Sequence, residues 1–159
     1  MSERPAKPQA TSPGAGGAGG AEGSNVTGLS HVAIAVRDAD ELAKTLVAAL
    51  GASPGATELL DGGALRVVFV HLGPVTFELL EPRSADHTVA KFLETRGPGV
   101  HHVSLDVSDI AAHLARAKAA GVKLIDETPR PGAHGTQVAF LHPKSLGGVL
   151  VELCEGKKA

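Results

Sequence analysis

Four side chains that could bind one metal ion occupy matching positions in two similar stretches of the 159-residue chain. His31 and His102 each open an alternating apolar run, and Glu78 and Glu152 each lie in an apolar run near the end of the stretch. The histidine-to-glutamate separation is 47 residues in the first stretch (78 − 31) and 50 in the second (152 − 102). Neutral imidazoles combined with carboxylates suit a divalent first-row metal that keeps room for water or substrate. We therefore predict a metal site made of these four residues.

The surroundings of the two glutamates support that prediction. Glu78 stands in "VTFELLEP" and Glu152 stands in "GVLVELCE", and both segments are otherwise suited to burial. A buried carboxylate without a partner is costly, so each one needs a metal, a cation or a proton. Any one of the four residues alone would more often have a structural role. Four at matching places favour a shared site, because a pseudo-two-fold relation between the stretches would bring both pairs together.

The elements that position these residues follow from a repeated pattern. "LSHVAIAVRDAD" (29–40) matches "HHVSLDVSDIAA" (101–112), and each contains an aspartate that can cap a helix. In each copy a helix-period stretch closed by a glycine comes next, followed by three extended runs. These runs are "ATELL", "RVVFVHLG" and "VTFELLEP" in the first copy and "VKLIDETP", "TQVAFLHP" and "GVLVELCE" in the second. We predict an α+β fold of two tandem β-α-β-β-β modules, residues 29–82 and 100–155, joined by a linker at 83–99 that contains a short helix.

Strand parity distinguishes the two adjacent histidines of the second copy. Successive side chains of a strand point to opposite faces, so His101 and His102 should not share one pocket. His102 aligns with His31, and each shares its face with small or polar residues, as a cleft wall would. His101 aligns with Ser30 and is predicted to point to the other face.

Composition narrows the functional class. A net charge of −2 gives no basic field for nucleic acid or for an acidic membrane. No apolar run approaches the roughly 20 residues that a membrane span needs. The single cysteine, Cys154, excludes an internal disulfide and fits a reducing cytosol, so we predict a cytoplasmic protein. Residues 1–28 are rich in Pro, Gly, Ala and Ser, and we predict a disordered tail there.

Two turn-rich loops of the second copy could contact a ligand. They are "RPGAHGTQ" (130–137) and "HPKSLGG" (142–148), and they bound one predicted strand. Exposed amides and a lysine in such loops can hold an anion, although solvated turns are the simpler alternative. We predict substrate contacts by Lys144, Ser145, His134 and Gly135.

The duplicated units, with a histidine near the start and a glutamate near the end, resemble the vicinal oxygen chelate (glyoxalase) superfamily. Within it, residues 29–155 closely resemble the methylmalonyl-CoA epimerase family. The stretches that carry this resemblance are "LSHVAIAV", "VTFELLEP", "TVAKFLETRGPGVHHVSLDV", "LIDETPRPGAHGTQVAFLHPKS" and "GGVLVELCE".

The resemblance implies a cup-shaped mixed sheet, an acyl-CoA substrate and a homodimer. It implies metal ligation by His31, His102 and Glu152, with Glu78 where some relatives carry glutamine. The ion is divalent, and cobalt, manganese, nickel and zinc all tolerate imidazole and carboxylate donors. Some relatives place a proposed catalytic glutamate in the strand matching "RVVFV", where this chain has Val67.

The activity that the resemblance implies is interconversion of (2R)- and (2S)-methylmalonyl-CoA. A metal held by the thioester and carboxylate oxygens would act as a Lewis acid and stabilise the enolate left when the C2 proton departs. Inverting C2 needs proton removal on one face and delivery on the other. We predict that Glu78 and Glu152 are the catalytic pair.

Two other functions remain open from the sequence. A glyoxalase I-type lyase would use a similar histidine and glutamate set on a glutathione hemithioacetal. A drug-binding module of the same duplicated fold would need no metal and would show no turnover. The complete set of four donors argues against the second, and "GAHGTQVAFLHPKS" favours the epimerase over the first.

Overall fold

Eight strands and three α-helices occur in residues 25–156, the part of the chain that the computed structural model describes. The first half contains β1 (Val26–Ala35), α1 (Ala39–Leu50), β2 (Ser53–Leu60), β3 (Leu65–Leu72) and β4 (Val75–Pro82). The linker forms α2 (Thr88–Arg96). The second half contains β5 (Gly99–Val107), α3 (Ile110–Ala119), β6 (Arg130–Pro131), β7 (Gln137–Leu141) and β8 (Val151–Glu155).

All eight strands belong to one mixed sheet whose order is β2-β3-β4-β1-β5-β8-β7-β6. At its centre β1 pairs antiparallel with β5, while β4 runs parallel to β1 and β8 runs parallel to β5. Each module therefore builds one half of the sheet in the same order outward from the middle. The predicted α+β fold with a cup-shaped mixed sheet is confirmed.

Helices α1 and α3 cover the outer face of the sheet, whereas α2 lies over part of the inner face. Asp38 and Asp109 accept the N–H groups of Glu41 and Ala112, both at 2.9 Å, so both aspartates cap their helices as predicted. The helices α1 and α3 each pack an apolar face on their own module. The inner face carries a third apolar cluster, packed under α2, with Val67, Phe69 and Leu80 among its members.

The predicted tail extends too far along the chain. Residues 1–24 lie outside the described residues, but β1 begins at Val26. Val26 pairs with Val107 and Gly28 pairs with Asp106. Residues 26–28 therefore belong to the fold, because β5 supplies hydrogen-bonding partners about 80 residues away that local composition could not reveal.

The strand predicted at "VKLIDETP" is wrong. The segment makes a single bridge, from Leu124 to Leu141, and the short β6 at Arg130–Pro131 takes its place at the edge of the sheet. The Asp126 carboxylate accepts the backbone N–H of Phe140 at 2.8 Å, so a side chain occupies a position that a neighbouring strand would have filled. Pro129 and Pro131 also have no N–H to donate to a ladder.

Among the described residues, no helix is both long and apolar enough to span a bilayer.

Candidate metal centre and its cavity

The centre of the sheet places the four predicted donors in two equivalent arrangements. His31 lies on β1 and His102 on β5, the two central strands. In register, Glu78 of β4 lies opposite Ala33, and Glu152 of β8 lies opposite Ser104. Each glutamate is therefore paired with the residue two positions after the histidine of its own module.

Three of the four donors converge. The Nε2 atoms of His31 and His102 are 3.3 Å apart, and the Glu152 carboxylate lies 3.4 Å from the first and 3.7 Å from the second. One ligand atom from each residue falls within 4.8 Å of the other two, and all three residues are buried. This spacing suits the coordination sphere of a single first-row ion.

Glu78 contacts the other ring nitrogen of His31, the one that faces away from His102 and Glu152. Its Oε1 atom is 3.2 Å from Nδ1 of His31, and the side chain is 12% exposed. The fourth predicted donor therefore contacts a candidate ligand rather than the cluster of three. Direct ligation by Glu78 stays a prediction.

The parity prediction for His101 is wrong. Its Nδ1 lies 2.9 Å from Nδ1 of His102, and both rings line the same cavity. Register shifts between β1 and β5 leave His101 and Ser30 unpaired at equivalent places, as β-bulges do. Ser30 correspondingly has its hydroxyl 3.0 Å from Nδ1 of His31. The bulges turn both side chains onto the histidines that follow them.

The surroundings of the cluster favour the neutral form of His102 and disfavour the ionised form of Glu152. Burial, followed by the neighbouring His31, His101 and Arg130, holds the pKa of His102 well below its ordinary value. Burial also raises the pKa of Glu152 to about 7, against the opposing effects of the Ser104 hydroxyl and Arg130. A metal binds the neutral imidazole and the ionised carboxylate, so an ion would satisfy the group that burial disfavours.

A cavity of about 780 Å³ opens on the inner face of the sheet. All four predicted donors line it, together with apolar side chains that include Val67, Phe69, Leu80 and Phe140. The volume is in the range of small-molecule sites, which combine apolar walls with a few convergent polar groups. A smaller cavity of about 340 Å³ shares His101, His102 and Leu150 with the main one.

The predicted substrate-contacting residues fall into two groups. His134 lines the main cavity, with Gly135 next to it in the same loop. Lys144 and Ser145 are exposed and line neither cavity, and the Ser145 hydroxyl instead accepts the N–H of Lys123 at 2.9 Å. Contacts of Lys144 and Ser145 with substrate stay predictions.

Sequence reasoning missed two residues of the site. Ser104, fully buried, donates its hydroxyl to Glu152 at 2.7 Å. Arg130 lines the cavity with its guanidinium over the Phe140 ring, 5.2 Å from the centroid. Strand parity already put Ser104 on the face of His102 and could have indicated it. The loop of residues 130–137 was predicted to contact a ligand, but Arg130 was not singled out in it, because the place of this side chain depends on how far the sheet curls.

Comparison with known proteins agrees with this geometry. The model of the glyoxalase/bleomycin resistance protein/dioxygenase superfamily matches residues 30–140. The chain is 41% identical to the mitochondrial methylmalonyl-CoA epimerase of Homo sapiens, over 81% of this chain and 74% of that one. It is 41% identical to the ethylmalonyl-CoA/methylmalonyl-CoA epimerase of Cereibacter sphaeroides, over 79% and 95%.

A solved methylmalonyl-CoA epimerase in complex with methylmalonyl-CoA and NH4+ superposes with a TM-score of 0.78 at 32% identity, covering 83% of this chain and 96% of that one. The chain belongs to the methylmalonyl-CoA epimerase family of the glyoxalase/bleomycin resistance protein/dioxygenase superfamily.

Proposed function

We propose that this chain is a metal-dependent epimerase that interconverts (2R)- and (2S)-methylmalonyl-CoA. The observation that carries the proposal is the buried convergence of His31, His102 and Glu152 on the wall of a cavity, in a member of this enzyme family. Relatives named for this reaction cover most of the chain. The metal requirement and the proton-transfer steps are what the experiments below must test.

The three converging residues are the proposed holders of the ion, with Glu78 as the candidate fourth donor. The His102 imidazole, whose pKa is lowered by burial, the adjacent His31 imidazole and a carboxylate whose pKa is raised by burial fit a divalent cation. When bound, such an ion would supply Lewis-acid stabilisation for the negative charge that develops on substrate oxygen as C2 loses its proton. Cobalt, manganese, nickel and zinc all accept this donor set.

Glu78 and Glu152 are the proposed acid and base. Inversion at C2 requires one group to take a proton from one face and another group to deliver a proton to the opposite face. The two carboxylates come from β4 and β8, on either side of the central strand pair, and both line the cavity. Val67, where some relatives carry a glutamate, is fully buried in an apolar cluster and cannot exchange a proton.

The remaining walls of the cavity suit an acyl thioester. Apolar residues around Phe69 and Leu80 can receive the C2 alkyl group, and Arg130 offers a cation to an anionic group of the substrate. The relative from Cereibacter sphaeroides is named for both the ethyl and the methyl substrate, so ethylmalonyl-CoA belongs in the same assay.

Exchange of the C2 proton in deuterated water tests the proposal directly. Purified chain incubated with one epimer of methylmalonyl-CoA should incorporate deuterium at C2 and form the other epimer. A chelator should stop both, and adding back a divalent ion should restore both. Activity that survives exhaustive chelation would remove the metal from the proposal, and activity only on a glutathione hemithioacetal would favour the glyoxalase-type alternative.

A homodimer and a cytoplasmic location stay predictions. The human relative is named as mitochondrial, so relatives do not decide the location. Sedimentation of the purified chain, with and without metal, measures its oligomeric state.

A further inference from the structure

The two edge strands of the sheet are joined beside the cavity, by a contact between Glu58 and His134. Strands β2 and β6 stand at opposite ends of the strand order. Yet Oε1 of Glu58 in β2 lies 2.6 Å from Nδ1 of His134, in the loop that follows β6. The backbone N–H of His134 also donates to Oε2 of Glu58 at 3.2 Å. Both oxygens of one carboxylate from the first module therefore hold one residue of the second.

Apolar contacts extend this junction. The His134 ring lies on the Phe69 ring, with centroids 4.3 Å apart. Ala133 packs against the apolar cluster of the first module that faces the cavity. Gly132, Ala133 and His134 all line the cavity, so the loop of residues 132–135, here called the clasp, forms part of its wall.

The clasp has a backbone that needs such support. His134 adopts a φ of 54°, a left-handed conformation that a histidine rarely occupies unless its surroundings hold it there. A Cβ at position 132 would lie 2.7 Å from Val138 and 2.8 Å from Thr136, so glycine is needed. Hydrogen bonds from Gly132 to Thr136 (2.9 Å) and from Thr136 to Ala133 (3.1 Å) brace the loop internally.

We propose that Glu58 is a positioning residue that keeps the clasp closed over the cavity and so retains bound acyl-CoA. Neither the histidine charge nor the metal is required, because a neutral imidazole with a proton on Nδ1 donates to the carboxylate as the backbone N–H does. The predicted retention of acyl-CoA rests on the proposed function, whereas the effect of Glu58 on the clasp does not. Lid contacts of this kind control how long a substrate stays bound.

The structural part is tested by amide hydrogen exchange on the chain without substrate. The reporters are the N–H groups of Gly132 and Thr136, whose acceptors are the carbonyls of Thr136 and Ala133 and not Glu58. In Glu58→Ala both amides should exchange about tenfold faster, because local opening then costs less free energy. The control is Glu127→Gln, which removes the charge of a carboxylate paired with Lys118 at 3.0 Å outside both cavities. Equal exchange in all three proteins would overturn the proposal.

The kinetic part is tested by comparing KM with kcat. Glu58→Ala should raise KM for methylmalonyl-CoA about tenfold with kcat within about twofold, the pattern of lost uniform binding. Glu58→Asp should fall between the parent and Glu58→Ala, and Glu127→Gln should match the parent. A fall in kcat at unchanged KM would overturn the positioning role, because Glu58 would then act on the chemistry.

A second variant approaches the same contact from the other side. His134→Asn removes the imidazole but tolerates the left-handed backbone. It should reproduce the faster exchange and the higher KM even if Glu58→Ala does not fold. A parent protein without epimerase activity would contradict the proposed function, and the exchange measurement would still decide whether the clasp depends on Glu58.

Discussion

Glu78 in the first module lies opposite Ala33, whereas Glu152 in the second module lies opposite Ser104. The two pairs have the same register, but the residue opposite the glutamate carries a hydroxyl group only in the second module. Ser104 donates to Glu152 at 2.7 Å, and an alanine side chain has nothing to donate to Glu78. Glu152 also faces Nε2 of both histidines, whereas Glu78 contacts Nδ1 of His31.

This difference teaches that a duplicated site need not be a symmetric one. Glu152 is oriented by a buried donor and shared between two imidazoles, as a metal ligand should be. Glu78 contacts the Nδ1 side of His31, away from the cluster of three, which suits a group that must change its protonation state. The variants below test this asymmetry, from the largest expected effect to the smallest.

Glu152→Gln should have the largest effect. We expect epimerisation to fall about a thousandfold, because the change removes a candidate ligand together with a general acid–base group. Calorimetric titration with a divalent ion should also detect weaker metal binding. Thermal unfolding of the metal-free variant controls for loss of fold. Normal turnover in Glu152→Gln would contradict the assignment of this residue.

Glu78→Gln should lower the rate of epimerisation more than it lowers the affinity for the metal. We expect epimerisation to fall about a hundredfold through loss of one of the two proton-transfer groups. One epimer should still exchange its C2 proton with deuterated water without inverting. If the rate of epimerisation is unchanged, Glu78 is not an essential base, and the contrast between the two glutamates disappears.

Ser104→Ala isolates the single hydroxyl that distinguishes the modules. We expect metal affinity to fall about tenfold, the lower end of what removal of a hydrogen bond behind a ligand costs. A metal titration followed by activity measures it. The control is Ser84→Ala, a serine before α2 whose hydroxyl accepts the N–H of Asp86 at 3.4 Å. Equal affinities in both variants would show that Ser104 does not orient Glu152.

The outer strands also differ between the modules, and Asp126 compensates for the difference. Six of the eight residues of β2 pair with β3, while β6 has two residues. Asp126→Ala removes the acceptor of the Phe140 N–H and should cost about 1 kcal/mol in free energy of unfolding. Urea denaturation measures this cost, with Glu127→Gln as the neighbouring control. A cost no greater than that control would mean that the short edge needs no side-chain support.

Much of the fold follows from local sequence. The alternating runs, the capping aspartates Asp38 and Asp109, and the repeated order of elements each rest on short-range geometry that the sequence displays. The burial of Glu78 and Glu152 among apolar neighbours was visible in the same way. The wrong predictions all concern contacts between residues distant in sequence. β-Bulges, edge strands and side chains that replace the hydrogen bonds of a neighbouring strand all depend on which strand lies alongside.

The sequence by itself determined the duplication and the matching places of two histidines and two glutamates, since periodicity and spacing are properties of the chain alone. Only the tertiary structure decided that His101 turns inward, that Glu58 meets His134 and that Ser104 faces Glu152. The physical reason is that bulges and sheet curl bring together residues far apart in the chain, such as Glu58 and His134, which are 76 positions apart. No pattern of residue types along the chain carries that information.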